Sequence, residues 1–196
     1  MEPPERLVAY VLCALFGAVT AVLSLIKIPL PFTPIPVTGQ SLGPMLAGLV
    51  LGPKYGAISQ IVYVLLGVLG LPVFANKAAG PGVVIGPSGG YIWGFVVGAW
   101  VTGTFFRWSH KGFAGAIGAT IAGGILSVYV LGVAQLCVVA RIPIAKAILL
   151  GALPFIPGDL LKVVIAATSG PRIARLPQRL LRETRRERPD EDVDHH

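Results

Sequence analysis

An acidic and a basic side chain lie close together near the end of an otherwise apolar sequence. In LPFIPGDLLK, Asp159 and Lys162 are three positions apart, so on a helix they share one face. Charged side chains inside apolar segments usually face the interior of a helix bundle and often have a functional role. Such a pair suits a small polar ligand. The alternative is structural, with Asp159 complementing the helix dipole and Lys162 as its ion-pair partner.

Neutral side chains elsewhere in the chain could add hydrogen bonds and stacking surface to such a site. Asn76 lies at the centre of a glycine-rich connector at 72–90, and Gln40 ends a proline-rich stretch. Tyr91 and Trp93 open the apolar segment after the connector, where aromatic residues are commonly membrane-interface anchors. The connector lacks the G-K-[ST] sequence of a phosphate-binding loop.

The proline-rich stretch runs PLPFTPIPVTGQ, from residue 29 to residue 40. Its four prolines remove backbone donors and push the preceding residues into extended geometry. The stretch therefore holds its shape without forming a helix, and it presents polar groups such as Thr38 and Gln40. It is either a stiff connector between helices or a rigid loop over a cavity.

The composition is that of an integral membrane protein. Of 196 residues, 54% are hydrophobic and only 13% are charged, with a mean hydropathy of +0.76, whereas soluble domains average about 25% charged residues. One bundle, residues 1–175, accounts for the apolar part, and a charged tail follows at 176–196. The two cysteines lie in apolar segments and are predicted to be reduced.

The hydropathy pattern predicts an all-α bundle of six transmembrane helices, with a structured external loop between the first two. A full crossing needs about 20 apolar residues, so the second segment is short and counts only if the loop before it supplies the missing depth. A further helix at 145–153 is too short to cross and is predicted to lie at the interface. The predicted crossings are 7–26, 42–51, 57–71, 91–106, 114–140 and 157–172.

The distribution of positive charge predicts which side the termini occupy. Eleven of the sixteen Lys and Arg residues fall on the side of the two termini, which favours cytoplasmic termini. The proline-rich stretch, the connector and the start of the last helix then meet on the external side. The basic part of the tail suits anionic lipid, so the net charge of +7 needs no nucleic acid. The final histidines are too few for a metal site.

Small residues recur at four-residue spacing in the first apolar segment. Ala14 and Ala18, and likewise Gly17 and Ala21, lie one turn apart, which lets another helix approach closely. Packing within the bundle is favoured over docking of a partner.

Catalytic and ATP-binding motifs are missing from the sequence. The predicted crossings hold one acidic residue, no histidine pair and no serine with a credible base, so neither a hydrolase nor a metalloprotease is indicated. No cofactor is expected. Transport against a gradient would need energy from another subunit or from ion coupling.

Three long strings in this order resemble the BioY family, the biotin-binding S-components of energy-coupling factor (ECF) transporters. They are PFTPIPVTGQSLGPMLAGLVLGPKYG, GLPVFA followed by GPSGGYIWGF, and LPFIPGDLLK. The resemblance implies a six-helix protein of a prokaryotic cell membrane. Such a protein captures biotin from outside and delivers it through a coupling subunit and two ATPases.

The resemblance also implies roles for individual residues. The ureido ring of biotin is expected to meet Asp159 and Lys162. The connector and the following helix would contribute Asn76, Tyr91 and Trp93.

The loop that holds Thr38 and Gln40 would close over the ligand, which favours a lid over a stiff connector. The Ala14 and Ala18 pair matches the motif by which S-components dock their coupling subunit. Two alternatives stay open, namely an S-component for another vitamin and a structural membrane subunit without a ligand.

Overall fold

The computed structural model of the chain describes residues 3–28, 37–109 and 112–174 and is mostly helical. Short 3-10 turns at Ala75–Lys77 and Leu153–Phe155 and a π-helical segment at Ile121–Ser127 interrupt the α-helices. The α-helices are α1 Pro3–Leu23, α2 Leu42–Val68, α3 Pro81–Ile85, α4 Gly89–Trp108, α5 Phe113–Thr120, α6 Val128–Ala140, α7 Ile144–Gly151 and α8 Ile156–Ile173.

Helix α2 is two helical arms joined by a sharp reversal at Gly52. This residue has φ 76° and ψ −174°, a conformation that glycine adopts without steric cost. A Cβ at Gly56 would lie 3.0 Å from the Ala47 carbonyl oxygen and 3.1 Å from the Gly48 Cα. In a straight helix, residues eight or nine positions apart are about 12–13 Å distant. The two arms, 42–51 and 53–68, therefore lie side by side, and they correspond to the predicted segments at 42–51 and 57–71.

Glycines at four-residue spacing bring α4 against the π-helical segment and α6. A Cβ at Gly94 would lie 2.8 Å from the Val128 Cα, and a Cβ at Gly98 would lie 2.6 Å from the Gly123 carbonyl oxygen. Such contacts between backbones are typical of membrane helices, where small residues permit close approach. Helix α4 also packs on α2 and so forms the centre of the bundle.

The outer surface of the bundle is apolar. On α1, Leu7, Val11 and Leu15 recur every four residues and are more than half exposed. A face of this kind is stable in lipid, whereas soluble proteins rarely expose contiguous apolar surface of this size.

Among the described residues, four helices are long and apolar enough to cross a membrane, by length and composition alone: Arg6–Leu23, Leu42–Val68, Phe113–Ala140 and Ile144–Ile173. The helix predicted at 91–106 is present as α4. The helix predicted at 145–153 is present as α7, but it forms one 30-residue apolar segment with α8. Its Ala147 is fully buried.

A short antiparallel ribbon follows α1. Strand β1 (Lys27–Ile28) pairs with β2 (Val37–Thr38), so that Lys27 lies opposite Thr38. The ribbon holds together the two ends of the proline-rich stretch. Residues 29–36, which include all four prolines, lie outside the described residues.

Replacing Gly48 with alanine should destabilise the bundle. The new methyl group would lie 2.6 Å from the Ala99 carbonyl oxygen and 2.7 Å from the Thr102 Cβ, and a helix backbone cannot yield locally. We expect a loss of about 1–3 kcal/mol in unfolding free energy, seen as a lower thermal midpoint of the detergent-solubilised protein.

Gly118→Ala is the matched control, because nothing lies within 4 Å of its added Cβ. It should leave the midpoint unchanged or raise it, since alanine favours a helix. Equal midpoints for the two variants would contradict the close packing of α2 on α4.

Candidate ligand-binding site

The Asp159 carboxylate lies in the first turn of α8, with 4% of the residue exposed. Helix α8 begins next to Pro157, which tolerates this position because its missing N–H would have no partner in the helix. Asp159 Oδ1 accepts hydrogen bonds from Ser41 Oγ at 2.8 Å and Lys162 Nζ at 2.7 Å. Its Oδ2 accepts one from the Tyr129 hydroxyl. The sequence prediction that Asp159 and Lys162 form a pair is therefore confirmed.

Lys162 uses all of its donor capacity within the protein. Besides Asp159, its ammonium group donates to Ser41 Oγ at 2.9 Å and to the Thr38 carbonyl oxygen at 2.5 Å. A lysine ammonium has three N–H donors, so each has an acceptor. Burying two charges is costly unless further hydrogen bonds satisfy them, and Ser41 does this for both partners.

A chain of neutral hydrogen bonds joins the ribbon to the glycine-rich connector. Thr38 Oγ1 donates to Gln40 Oε1 at 3.0 Å, and Gln40 Nε2 donates to the Tyr63 hydroxyl oxygen at 2.5 Å. The Tyr63 hydroxyl donates in turn to the Val73 carbonyl oxygen at 3.1 Å. Gln40 and Tyr63 are both buried. The predicted candidates Thr38 and Gln40 thus belong to one buried network.

The connector is ordered by both local and distant contacts. Asn76 and Lys77 have φ angles of 61° and 57°, a left-handed conformation that is uncommon outside glycine. Asn76 Oδ1 accepts a hydrogen bond from Lys27 Nζ at 3.2 Å. At the other end, Gln135 Nε2 donates to the carbonyl oxygens of Val84 and Gly86 at 3.0 and 2.8 Å.

These elements enclose a cavity of about 310 Å³ between the ribbon, the connector and the start of α8. Asp159 and Lys162 form one polar part of its wall, and aromatic rings form much of the remainder. Six of the predicted residues line it together, namely Asp159, Lys162, Thr38, Gln40, Asn76 and Tyr91, and the rings of Phe74, Phe95 and Phe155 lie beside them.

Tyr91 and Trp93 occupy different environments. The Tyr91 ring lines the cavity, and its hydroxyl donates to the Gly151 carbonyl oxygen at 2.8 Å. Trp93 lies outside the cavity and is 48% exposed. Residues two positions apart on a helix point in nearly opposite directions, so both could not face one cavity. The structure does not support a ligand contact at Trp93.

The small residues of α1 divide between two faces. Ala14 and Ala18 are exposed. Gly17 is buried, and a Cβ there would lie 3.0 Å from the Ser59 carbonyl oxygen. The predicted packing within the bundle therefore holds for Gly17, whereas Ala14 and Ala18 face outward.

Sequence reasoning missed the residues that hold the charged pair in place. Ser41 directly follows Gln40. A hydroxyl next to a predicted site residue could have marked it as a further hydrogen-bonding group of the site. Tyr129 lies in the middle of a long apolar segment, and an isolated hydroxyl there needs a partner. Tyr63 is similarly isolated. The pairing of each with its partner depends on tertiary structure.

The arrangement suits a small ligand with an apolar ring and both donors and acceptors. Asp159 Oδ2 accepts one hydrogen bond and retains capacity for another. The rings of Tyr91, Phe74 and Phe95 offer apolar surface. Within the described ranges, no group of three or more His, Cys, Asp or Glu side chains could hold a metal ion.

Known proteins are similar to this chain in sequence and in structure. The model of the BioY family matches residues 3–179. The biotin transporter BioY of Rhizobium etli is 40% identical over 82% of this chain and 89% of its own length. That of Thermotoga maritima is 43% identical over 76% of this chain and 86% of its own length.

A solved structure is also similar, the S-component for biotin from an ECF-type ABC transporter, determined by crystallography. It superposes with a TM-score of 0.83 at 29% identity, over 89% of this chain and 95% of that one.

Removing the Tyr129 hydroxyl should destabilise the protein. In Tyr129→Phe, Asp159 Oδ2 loses its hydrogen bond while remaining buried. Hydrogen bonds to charged groups contribute about 1.5–3 kcal/mol, so the thermal midpoint should fall without ligand.

Tyr10→Phe is the control, because Tyr10 is 56% exposed and contacts Tyr55 through its ring, which the change retains. It should leave the midpoint unchanged. An equal midpoint for Tyr129→Phe and the unchanged protein would rule out a stabilising role for this hydrogen bond.

Proposed function

Since this chain belongs to the BioY family, we propose that it is the biotin-binding S-component of an ECF transporter. It captures biotin in the membrane and hands it to an ATP-driven module, and it has no catalytic role of its own. The observation that best supports this is the ion pair of the buried Asp159 with the partly buried Lys162 in the wall of an otherwise largely apolar cavity.

The chemistry of biotin matches that of the cavity wall. Its ureido ring offers two N–H donors and one carbonyl acceptor, and its fused sulfur ring is apolar. Asp159 accepts from a ureido N–H through Oδ2, and Lys162 donates to the ureido carbonyl. The aromatic rings, Tyr91 among them, cover the apolar ring. An analogue without the ureido group would form neither of these hydrogen bonds, and a site built to hydrogen-bond a ligand group discriminates against analogues that lack it.

Ligand binding requires an exchange of hydrogen bonds at Lys162. All three of its donors have acceptors within the protein, so a ligand carbonyl that accepts from Lys162 takes the place of one of them. Of the three acceptors, the Thr38 carbonyl oxygen is neutral and makes no hydrogen bond to Asp159. Its replacement by a ligand carbonyl therefore weakens the Asp159–Lys162 ion pair least. Binding at Lys162 thereby changes how the ribbon is anchored.

The ribbon and the connector form the cover of the site. Thr38 and Gln40 belong to the lid that includes the proline-rich stretch, and Asn76 contacts the ligand from the connector. The four prolines of that stretch lie outside the described residues; because proline restricts the backbone, little conformational entropy would be lost when the lid closes.

The chain crosses the membrane six times, with the two arms of α2 counted separately. The reversal at Gly52 supports this count. Both termini are cytoplasmic and the cavity opens outside, in agreement with the excess of Lys and Arg on the terminal side. The membrane bundle comprises residues 1–175. Residues 176–196 form a cytoplasmic tail. The described residues end at 174, so the tail lies outside them.

The partners are a transmembrane coupling subunit and two ATPase subunits. The exposed positions of Ala14 and Ala18 on α1 support this face as the docking surface for the coupling subunit, because small residues let a partner helix approach closely.

Asp159→Asn should abolish the stabilisation of the purified protein by biotin. The change keeps the shape but removes the charge that accepts the ureido N–H and pairs with Lys162. In the unchanged protein, biotin at 100 times its Kd should stabilise by about 2.7 kcal/mol, and in the variant the thermal midpoint should not move on adding biotin.

Trp93→Phe is the matched control, and its shift with biotin should equal that of the unchanged protein. If Asp159→Asn lowered the midpoint equally with and without biotin, a purely structural role would explain the pair. Competition binding with a panel of vitamins tests whether biotin is the preferred ligand. If another vitamin bound more tightly, that vitamin would be assigned as the ligand.

Single cysteines introduced at Leu71 and Trp108, in a protein lacking Cys13 and Cys137, should label from opposite sides of the membrane. Both positions are exposed, at 47% and 87%. A membrane-impermeant maleimide should modify position 71 on intact cells and position 108 only after permeabilisation. The reverse pattern would invert the proposed orientation.

A further inference from the structure

A second polar group lies at the rim of the same cavity, apart from the Asp159–Lys162 pair. Lys27 in β1 is exposed, and its Nζ donates to Asn76 Oδ1 at 3.2 Å. Asn76 lines the cavity. Lys27 lies directly opposite Thr38, another lining residue, and opposite residues on an antiparallel pair extend from the same face. The Lys27 ammonium group therefore lies beside the opening of the cavity.

The backbone at this rim is held in an unusual conformation. Asn76 and Lys77 are consecutive non-glycine residues with φ near +60°. This conformation is unfavourable for residues with a side chain, and such residues cluster where ligands are clamped. The conformation directs the Asn76 amide to Lys27 and leaves a second ammonium, that of Lys77, on the same short turn.

The charges at the two ends of the cavity differ. The only ion pair among the side chains that the structure describes joins Lys162 to Asp159, so the inner end is neutral overall. Asp159 is also the one carboxylate whose side chain is described. At the rim, Lys27 is bonded to a neutral amide oxygen and retains an uncompensated positive charge.

A ligand with one neutral polar end and one negative end would orient itself in this field. The paired charges at the inner end give its anionic group little net attraction, whereas the positive charge of Lys27 attracts that group to the rim. We infer that Lys27, positioned by Asn76, binds the terminal carboxylate of the ligand's aliphatic chain and so makes the site selective for the free acid. This inference rests on the proposed function, because biotin carries such a chain opposite its ureido ring.

The test compares biotin with biotinamide, which keeps the ring and the chain but has a neutral end. Affinities are measured by calorimetry on the full chain in lipid nanodiscs. The unchanged protein should bind biotin about tenfold or more tighter than biotinamide, as expected for a hydrogen bond between charged groups. Lys27→Met should lower the affinity for biotin by that factor and leave the affinity for biotinamide unchanged. Lys27→Arg should keep the preference for biotin over biotinamide.

Lys77→Met and Lys146→Met are matched controls. Lys77 shares the turn, and Lys146 is an exposed cation of α7 outside the cavity lining. Both should keep the preference for biotin. If Lys77→Met rather than Lys27→Met removed it, the assignment to Lys27 would be wrong.

Three further outcomes would overturn the inference. Equal weakening of both ligands by Lys27→Met would mean that Lys27 only fastens the ribbon to the connector. Equal affinity of the unchanged protein for both ligands would mean that the carboxylate is not recognised, although the proposed function would stand. If neither ligand bound the unchanged protein, the proposed function itself would fail and the inference with it.

Discussion

The buried ion pair of Asp159 and Lys162 is the interaction on which the rest of the structure depends. Charges removed from water are stable only when every lone pair and N–H finds a partner. Here the partners come from distant parts of the chain: Ser41 at the start of α2, Tyr129 in α6 and the Thr38 carbonyl in β2. Satisfying two charges therefore fixes the relative positions of three elements around one cavity.

The frame that holds these elements is built from glycine. Helix α4 approaches its neighbours through Gly94 and Gly98, and α2 reverses at Gly52. Because no side chains separate the backbones at these points, the helices cannot shift independently without atomic overlap. The ribbon and the connector are held differently, by hydrogen bonds of Gln40, Tyr63 and Gln135.

Much of the fold followed from hydropathy and from proline and glycine positions. The helical segments were predicted close to where they occur. Two charged side chains three positions apart on a helix were predicted to lie next to each other. The pairing of Asp159 with Lys162 needed only local geometry. Contacts made across the bundle, such as those of Ser41 and Tyr129, depend on how helices are arranged, and that information is spread over the whole chain.

The placement of Trp93 also depends on information beyond residue type. Residue type favoured both Tyr91 and Trp93 as ring-stacking partners, but helical phase permits only one of them to face the cavity. The 3-10 turn at Ala75–Lys77 was also unexpected, because its left-handed residues are not glycines. The glycine-rich connector is consequently more ordered than its composition indicates.

The glycine contacts of α4 also determine how force passes through the molecule. A helix that touches its neighbours backbone to backbone transmits a push along its whole length instead of absorbing it in side-chain rearrangement. A tilt of α4 would then carry along the helices packed against its glycines, together with the part of the cavity wall that they form. The deformable parts would be the hydrogen-bonded ribbon and connector, so mechanical work done on the frame would reach the ligand through its cover.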